Sequence, residues 1–368
     1  MGHILLSFVF FNIILIIFYS HYRKGHYYID KPHLVLYTLL LIAYGTYGGG
    51  EGDYVHYKES VELFHSLYDV MYYDGMEIQY NYLAYFVGAN YDLWRLAIFS
   101  IQFIGMSWFL YKAKLNTYPV FLCFIAICLL LYTYQRSYWG VIFFFMGLYL
   151  LLEKKNPLFL IIIALCYVSH TQNTVLLALL PLGFLNIRKW QLLIVILLVG
   201  VMATVLKDSF SLFLDSGGIE DADYINKKAN TYSELEIGNF GNSIGEFLLF
   251  VFRYVPVLII FLGLLKMIFI NRNLYLSFSK PYRGMINITI GIVIVSLVVL
   301  FASLGAGTFF YRILSMILFP IALLLPYMVN NKALSKKSFK TYIFLFILCA
   351  EYGYLKDVYY AYANGVSW

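Results

Sequence analysis

The feature that most constrains this chain is the recurrence of apolar stretches that approach or reach the length of a membrane-spanning helix. A span needs about 20 mainly apolar residues, and hydrocarbon tolerates only backbone that is hydrogen-bonded internally. Only 12% of the residues are charged, about half the share in a soluble domain. The sequence predicts an all-α, polytopic transmembrane helical bundle of about 12 spans (10–12), forming a single integral membrane domain over residues 1–368. The stretches lie near 3–20, 33–48, 93–111, 118–134, 138–152, 157–169, 173–186, 190–206, 247–266, 285–304, 309–329 and 341–355.

Charge separates the connecting segments into two sets and predicts the orientation. One alternate set carries 17 of the 26 basic side chains and only two acidic ones. Because loops rich in Lys and Arg stay in the cytoplasm, we expect a protein of the cytoplasmic membrane with both termini outside. Two larger loops, 49–92 and 207–246, are then extracytoplasmic. The basic set comprises 20–32, 112–117, 153–156, 186–190, 266–284 and 330–340.

Two helical hairpins are too short for two full passes. Residues 157–186 supply about 30 residues between two basic loops, whereas two passes need roughly 40. Their turn, Ser169–Asn173, should therefore lie below the outer membrane surface. The same argument applies to 118–152, whose turn carries Gln135-Arg136-Ser137. Polar backbone at that depth is tolerated where it is buried in protein or lines a wet cavity, so both hairpins are expected to be short or re-entrant.

Four arginines break the charge rule because they lie on the outer side. They are Arg95, Arg136, Arg253 and Arg312. An intramembrane charge is costly and is a functional-site hypothesis by default. Each guanidinium either reaches headgroups or pairs with a carboxylate such as Glu246 or Asp92, or the four together form an outer-leaflet pocket for a lipid-linked phosphate or pyrophosphate. Arginine suits the second role because its planar fork binds phosphate oxygens in pairs.

Other polar residues on the same side are candidates for proton transfer. His170 lies at the recessed turn of residues 157–186, where a histidine is either a satisfied structural residue or a general base. Glu51 and Asp53 follow Gly48-Gly49-Gly50 at the start of the first outer loop. They could accept a proton, hold sugar hydroxyls or bind a divalent ion. Asp53 is equally suited to cap a helix beginning near Tyr54.

Several function classes find no support in the sequence. There is no Walker A loop, dinucleotide-binding glycine fingerprint, zinc motif or Gly-x-Ser-x-Gly, which argues against a nucleotide-driven intracellular reaction. The four cysteines lie inside apolar stretches without metal-ligand spacing, so we expect buried thiols and no disulfide.

Three short segments resemble the EpsG-like, Wzy-type family of bacterial polysaccharide polymerases. The first is Gly52-Asp53-Tyr54-x-x-Tyr57 with Glu77-x-x-Tyr80-x-x-Leu83. The second is Gln135-Arg136-Ser137 before a span ending in Glu153-Lys154-Lys155. The third is the hairpin Cys166–Asn173. They cover about residues 45–190. The chain departs from the family where Trp139-Gly140-Val141-Ile142-Phe143 replaces an alanine-rich helix, which bears on substrate choice.

The resemblance implies a reaction and a set of site residues. The enzyme would join undecaprenyl-pyrophosphate-linked oligosaccharide units on the outer face, with a lipid pyrophosphate as leaving group. Its further partners would be the bilayer, a chain-length regulator and a flippase; no nucleic acid is expected. It would require no cofactor, although Glu51 and Asp53 leave room for a divalent metal. The predicted catalytic residues are His170, Arg136 and Asp53, and the predicted substrate-binding residues are Arg95, Arg253, Arg312, Glu51, Tyr54, Glu77, Gln135, Gln172 and Tyr311.

Three other functions fit some of the same features. A different outer-face glycosyltransferase, or a ligase that uses a polyprenyl-phosphate-linked sugar, would share the arginines and acidic loops. A lipid-linked-sugar flippase or transporter would need charges through the full membrane depth. A non-catalytic assembly subunit would tolerate loss of Arg136 and His170.

Overall fold

A computed structural model of the chain describes residues 2–47, 54–72, 78–129, 138–170, 173–188, 191, 194, 197, 244–302 and 313–363. The elements in these ranges are helices, and the extended pairing among them is the isolated bridge between Tyr28 and Thr117. The all-α class predicted from the sequence is confirmed.

The helices follow one another with short connections. The helix Tyr118–Phe124 continues into a π-helical turn, Ile125–Leu129, and the helix Thr174–Leu179 continues into a 3₁₀ turn, Leu180–Phe184. In chain order they are α1 (Gly2–Arg23), α2 (Lys31–Tyr47), α3 (Tyr54–Val61), α4 (Leu67–Tyr72), α5 (Ile78–Phe86), α6 (Tyr91–Lys112), α7 (Tyr118–Phe124), α8 (Tyr138–Lys154), α9 (Phe159–Ser169), α10 (Thr174–Leu179), α11 (Ile244–Phe269), α12 (Arg272–Ser277), α13 (Lys280–Ala302), α14 (Leu318–Asn330) and α15 (Lys336–Ala363).

Membrane-crossing character is clearest in three helical segments. Within the ranges described, Leu6–Arg23, Tyr91–Lys112 and Ile313–Asn330 are long and apolar enough to span a bilayer. Shorter apolar helices accompany them. The number of twelve spans stays a prediction, because several of the stretches on which it rests include residues outside the described ranges.

The hairpin of α9 and α10 is short, as the sequence indicates. α9 has 11 residues, a rise of about 16 Å, which is roughly half of a hydrocarbon core about 30 Å thick. α9 therefore ends at Ser169 after about half the length of a full span. α8 packs closely along α9, because a Cβ on Gly147 would lie 2.6 Å from Ile163 Cγ1.

The chain divides into two compact units. The first comprises residues 1–177 and 321–368, and the second comprises residues 178–320. The first unit contains the predicted outer loop 49–92, which folds largely into α3, α4 and α5. These helices join α6 and α8 through one buried apolar cluster, hereafter the aromatic cluster: Val61, Phe64, Val70, Tyr80, Ala84, Tyr91, Trp94, Ile98 and Trp139.

Local capping fixes where two of these helices begin. Ser66 and Asp69 form a reciprocal cap on α4: the Asp69 carboxylate accepts the Ser66 N–H at 2.7 Å, and Ser66 Oγ accepts the Asp69 N–H at 3.2 Å. The hydrogen bond from the Ser66 hydroxyl lowers the pKa of Asp69. Asn90 caps α6 by accepting the Leu93 N–H at 3.0 Å. This start for α6 places Trp94 within the aromatic cluster.

The second unit is organised around a buried asparagine. Asn287 of α13 donates to the carbonyls of Leu182 at 3.1 Å and Leu185 at 2.7 Å. Its own carbonyl accepts the Tyr275 hydroxyl at 2.9 Å. The 3₁₀ turn and the residue after it are thus hydrogen-bonded to α13.

Candidate active site

The predicted recessed turn is held by side chains from other helices. The last four carbonyls of a helix have no partner within it, and in α9 these belong to residues 166–169. Cys166 O accepts from Ser169 Oγ at 2.7 Å and from Asn173 Nδ2 at 3.1 Å. Val168 O accepts from Gln79 Nε2, and Ser169 O accepts from Tyr80 Oη at 2.7 Å. Three of the four carbonyls are therefore satisfied by side chains.

Tyr80 connects three helices through its hydroxyl and its backbone. The hydroxyl donates to Ser169 O and accepts from Trp139 Nε1 at 2.8 Å. The backbone carbonyl accepts from Trp94 Nε1 at 3.2 Å. Tyr80 is only 2% exposed, so an unpaired hydroxyl there would be costly. One phenol thus fixes the end of α9 relative to α5 and α8.

Gly140 lets α8 approach the turn more closely than any other residue type would. A Cβ at this position would lie 1.8 Å from Ser169 Oγ and 2.8 Å from Asn173 Nδ2. Ser169 and Asn173 are fully buried and are joined by a hydrogen bond of 2.6 Å from Asn173 Nδ2 to Ser169 Oγ. The turn is therefore packed directly on the backbone of α8.

His170 is the first residue beyond α9 and has an extended backbone, with φ −169° and ψ 136°. Its carbonyl accepts the Asn173 N–H at 2.9 Å. The residue is partly exposed, in contrast to Ser169 and Asn173, which are fully buried. The predicted role of His170 as a general base stays a prediction.

Arg95 occupies a different position, between α2 and α6. It is 4% exposed, and its Nη2 donates to Gly45 O at 2.5 Å. Its guanidinium lies 5.8 Å from the Tyr91 ring centroid and 5.6 Å from that of Phe99. These contacts describe an arginine that links two helices. Its predicted role as a phosphate ligand stays a prediction.

The remaining predicted site residues lie wholly or partly outside the described ranges. Tyr54 begins α3 and Arg253 lies within α11, but their side chains are outside the description. The others, which also stay predictions, are Glu51, Asp53, Glu77, Gln135, Arg136, Gln172, Tyr311 and Arg312.

Acidic and metal-ligating side chains form no metal centre in the part of the chain that is described. No group of three or more His, Cys, Asp or Glu there could hold a metal ion. The four cysteines are buried thiols without a disulfide, as the sequence predicts. The acidic candidates for a divalent ion, Glu51 and Asp53, fall outside these ranges.

Two of the three segments that carry the sequence resemblance meet at this turn, the first through Tyr80 and the third through Ser169. Tyr57 packs on Trp94 in the aromatic cluster, with ring centroids 6.0 Å apart. Tyr80 bonds to Trp139, directly after the second segment, and to Ser169 in the third. A family model described as the EpsG family matches residues 31–364.

The chain belongs to the EpsG family. This is a family of Wzy-like polysaccharide polymerases, so the resemblance inferred from the motifs is confirmed. The match extends through the C-terminal half, where the sequence offers similarity only in hydropathy and in an outer-side arginine. Together with the apolar helices, it makes the protein a multi-pass membrane protein. No curated protein sequence and no solved structure matches the chain significantly.

Sequence reasoning did not assign site roles to the residues that build the turn. Tyr80, Ser169 and Asn173 are part of the motifs, and Trp139 and Gly140 lie where the chain departs from the family. The available signal was that polar or small residues recur within short apolar helices, where unpaired polar groups are costly. Their pairing depends on contacts between distant segments, which spacing alone does not reveal.

Proposed function

We propose that this EpsG-family protein polymerises undecaprenyl-pyrophosphate-linked oligosaccharide repeat units on the outer face of the cytoplasmic membrane. The observation that carries the proposal is the meeting of the first and third family segments at the turn that presents His170. Tyr80 and Ser169 make this connection by a direct hydrogen bond. A partly exposed imidazole beside an otherwise buried network is suited to accept a proton from a substrate hydroxyl.

The proposed step is a glycosyl transfer between two lipid-linked substrates. A hydroxyl oxygen of one repeat unit attacks the anomeric carbon of the sugar attached to pyrophosphate on the growing chain. A new C–O glycosidic bond forms, and the bond between the anomeric carbon and the pyrophosphate oxygen breaks. The hydroxyl proton passes to a ring nitrogen of His170 and then to water. The leaving group is the lipid pyrophosphate, which takes the bonding electron pair.

The negative charge that develops on the leaving group requires preorganised donors. In this proposal Arg136 is the principal one, because it lies two residues before α8 and so close in sequence to Trp139 and Gly140. Arg253 and Arg312 are further candidates. Asp53 and Glu51 would bind the sugar hydroxyls, with Asp53 an alternative base. Arginine is suited to the task because it stays charged when desolvated and binds phosphate oxygens in pairs.

Purified lipid-linked repeat units test the reaction directly. The protein is reconstituted in liposomes with these units as the sole substrate, and the products are separated by size. A polymerase produces a ladder of glycans without a second acceptor. A ligase or a transferase that uses a monosaccharide donor yields no ladder, and a flippase changes only sidedness. Either of these results would overturn the proposal.

Arg136→Ala tests the same proposal in cells. Long glycan is expected to disappear while single repeat units are retained, at wild-type protein abundance. Normal polymer at normal abundance would instead favour a non-catalytic assembly subunit. The matched control is Arg188→Ala, since this arginine belongs to a basic segment that the charge pattern places on the opposite face.

A further inference from the structure

A groove open at the protein surface lies between the first and last helices, α1 and α15. It has a volume of about 490 Å³ and also touches α7. Leu122 of α7 is buried beneath it, whereas Ile16 and Phe344 on its walls are exposed, at 64% and 59%. The groove is therefore apolar along its length and belongs entirely to the first unit.

Two cations stand at one end of the groove. Arg23 at the end of α1 and Lys340 near the start of α15 both line it and are both exposed. No ion pair joins either of them to a carboxylate in the described part of the chain. Tyr22 and Phe339 pack against each other at the same end, with ring centroids 6.3 Å apart. The positive charge is thus unbalanced beside an apolar surface.

The length, volume and lining of the groove indicate the kind of ligand that it binds. From Ile16 to Arg23 along α1, and from Lys340 to Ile347 along α15, the helices rise about 10 Å. The groove volume is within the range of small-molecule sites, and its apolar walls suit part of a hydrocarbon chain, while the two cations at its end suit an anionic headgroup.

We propose that this groove binds one anionic glycerophospholipid. Arg23 and Lys340 hold the headgroup phosphate, and an acyl chain lies between α1 and α15 over Leu122. Basic pockets between transmembrane helices commonly recognise anionic headgroups in this way. A zwitterionic lipid leaves the two cations uncompensated, because its own ammonium group already balances its phosphate.

The bound lipid has a structural consequence. It fills the surface between the N-terminal and C-terminal helices, which are far apart in sequence. Binding to the folded state alone stabilises that state by mass action. The inference concerns a surface separate from the His170 turn and does not depend on the polymerase proposal.

Native mass spectrometry of the full chain in detergent tests the site. Phosphatidylglycerol and phosphatidylcholine with identical acyl chains are titrated in parallel, and inorganic phosphate is a third arm. The test variant is R23Q/K340Q. The matched control is K336Q/K337Q, which removes the same charge from exposed residues at the same end of α15 that do not line the groove.

For the wild-type protein, we expect the first bound phosphatidylglycerol to have an affinity at least about tenfold higher than that of phosphatidylcholine. R23Q/K340Q should lose most of this preference, because each basic residue near a headgroup contributes enough for a roughly fivefold effect. K336Q/K337Q should keep it. The charge-preserving variant R23K/K340R should also keep the preference for phosphatidylglycerol. This variant is measured in addition because R23Q/K340Q could fail to fold.

Several results would overturn this inference. Equal affinity for the two lipids would remove the anionic preference. An equal loss in K336Q/K337Q would show diffuse surface charge and no built site. If millimolar inorganic phosphate displaces phosphatidylglycerol whatever the acyl chain, the two cations form a site for a free anion and not for a lipid. Ile347→Trp, which narrows the groove without changing charge, must weaken lipid binding for the acyl-chain contact to stand.

Discussion

Two buried asparagines hold two irregular backbone segments, one in each unit, in nearly the same way. Asn173 donates to Cys166 O at 3.1 Å and to Ser169 Oγ at 2.6 Å. Asn287 donates to Leu182 O at 3.1 Å and to Leu185 O at 2.7 Å. Both amides are fully buried. In each unit a short helix ends among apolar residues, and a buried amide donates two hydrogen bonds to groups near that end.

The two segments differ in what they expose. Beside Asn173 the chain presents His170, which is partly exposed, and the carbonyls nearby are bonded by Gln79 and Tyr80 from the family segments. Around Asn287 the partners are a phenol and backbone carbonyls. A buried asparagine amide that donates two hydrogen bonds thus holds a proposed catalytic turn in the first unit and a structural junction in the second.

The largest expected effect is that of His170→Ala. Polymerisation should fall by about 10²- to 10⁴-fold, the usual contribution of a general base, with the protein still folded because the turn is held by its neighbours. The measurement is ladder formation per folded protein in liposomes. His65→Ala, at an exposed residue, is the matched control and should be fully active. Retained activity in His170→Ala would remove this histidine from the mechanism.

Gly140→Ala should disturb the turn from the side of α8. The new methyl group would overlap Ser169 Oγ, and overpacking of this kind costs about 1–3 kcal/mol. We expect a lower melting temperature in detergent and a strong loss of polymer. Gly263→Ala is the control, since a Cβ there meets nothing within 4 Å. A Gly140→Ala protein as stable and active as wild type would contradict the close packing.

Tyr80→Phe should have an intermediate effect. It keeps the ring but leaves Ser169 O and Trp139 Nε1 without their partner, at a cost of about 1–3 kcal/mol. If the hydroxyl positions His170, the maximal rate per folded protein should fall about tenfold, equivalent to roughly 1.4 kcal/mol, while the apparent KM changes little. Tyr82→Phe, on the same helix and 37% exposed, should change neither. A drop in folded protein alone would mean that Tyr80 serves only the fold.

Asn287→Ala should have the smallest effect on the reaction. It therefore distinguishes the junction around Asn287 from the turn beside Asn173. Loss of its buried hydrogen bonds destabilises the second unit by about 2–3 kcal/mol, visible as a lower melting temperature. Polymerisation per folded protein should stay within about twofold. Asn173→Ala, which removes the corresponding bonds in the first unit, should reduce both quantities. Equal losses of activity in Asn287→Ala and Asn173→Ala would contradict a structural role for the first and a role near the active site for the second.

The family assignment could be made from short motifs, although only part of their geometry is described. Asp53, Arg136 and Gln172 belong to those motifs, and their roles rest on residue type and order along the chain. The hairpin of residues 157–186 was predicted from a simple length argument, and α9 and α10 agree with it. The network around the turn could not be predicted this way, because Trp139 and Tyr80 are 59 residues apart in sequence.

The sequence by itself determined the helical class and the membrane character. These follow from apolar stretch length and from the cost of unpaired backbone in hydrocarbon, both of which are local properties. Only the tertiary structure decided that Tyr80, Gly140 and Ser169 meet, and that Arg95 bonds to Gly45. Buried hydrogen bonds and close helix approaches depend on which surfaces pack together, and residue spacing within one helix does not specify its neighbours.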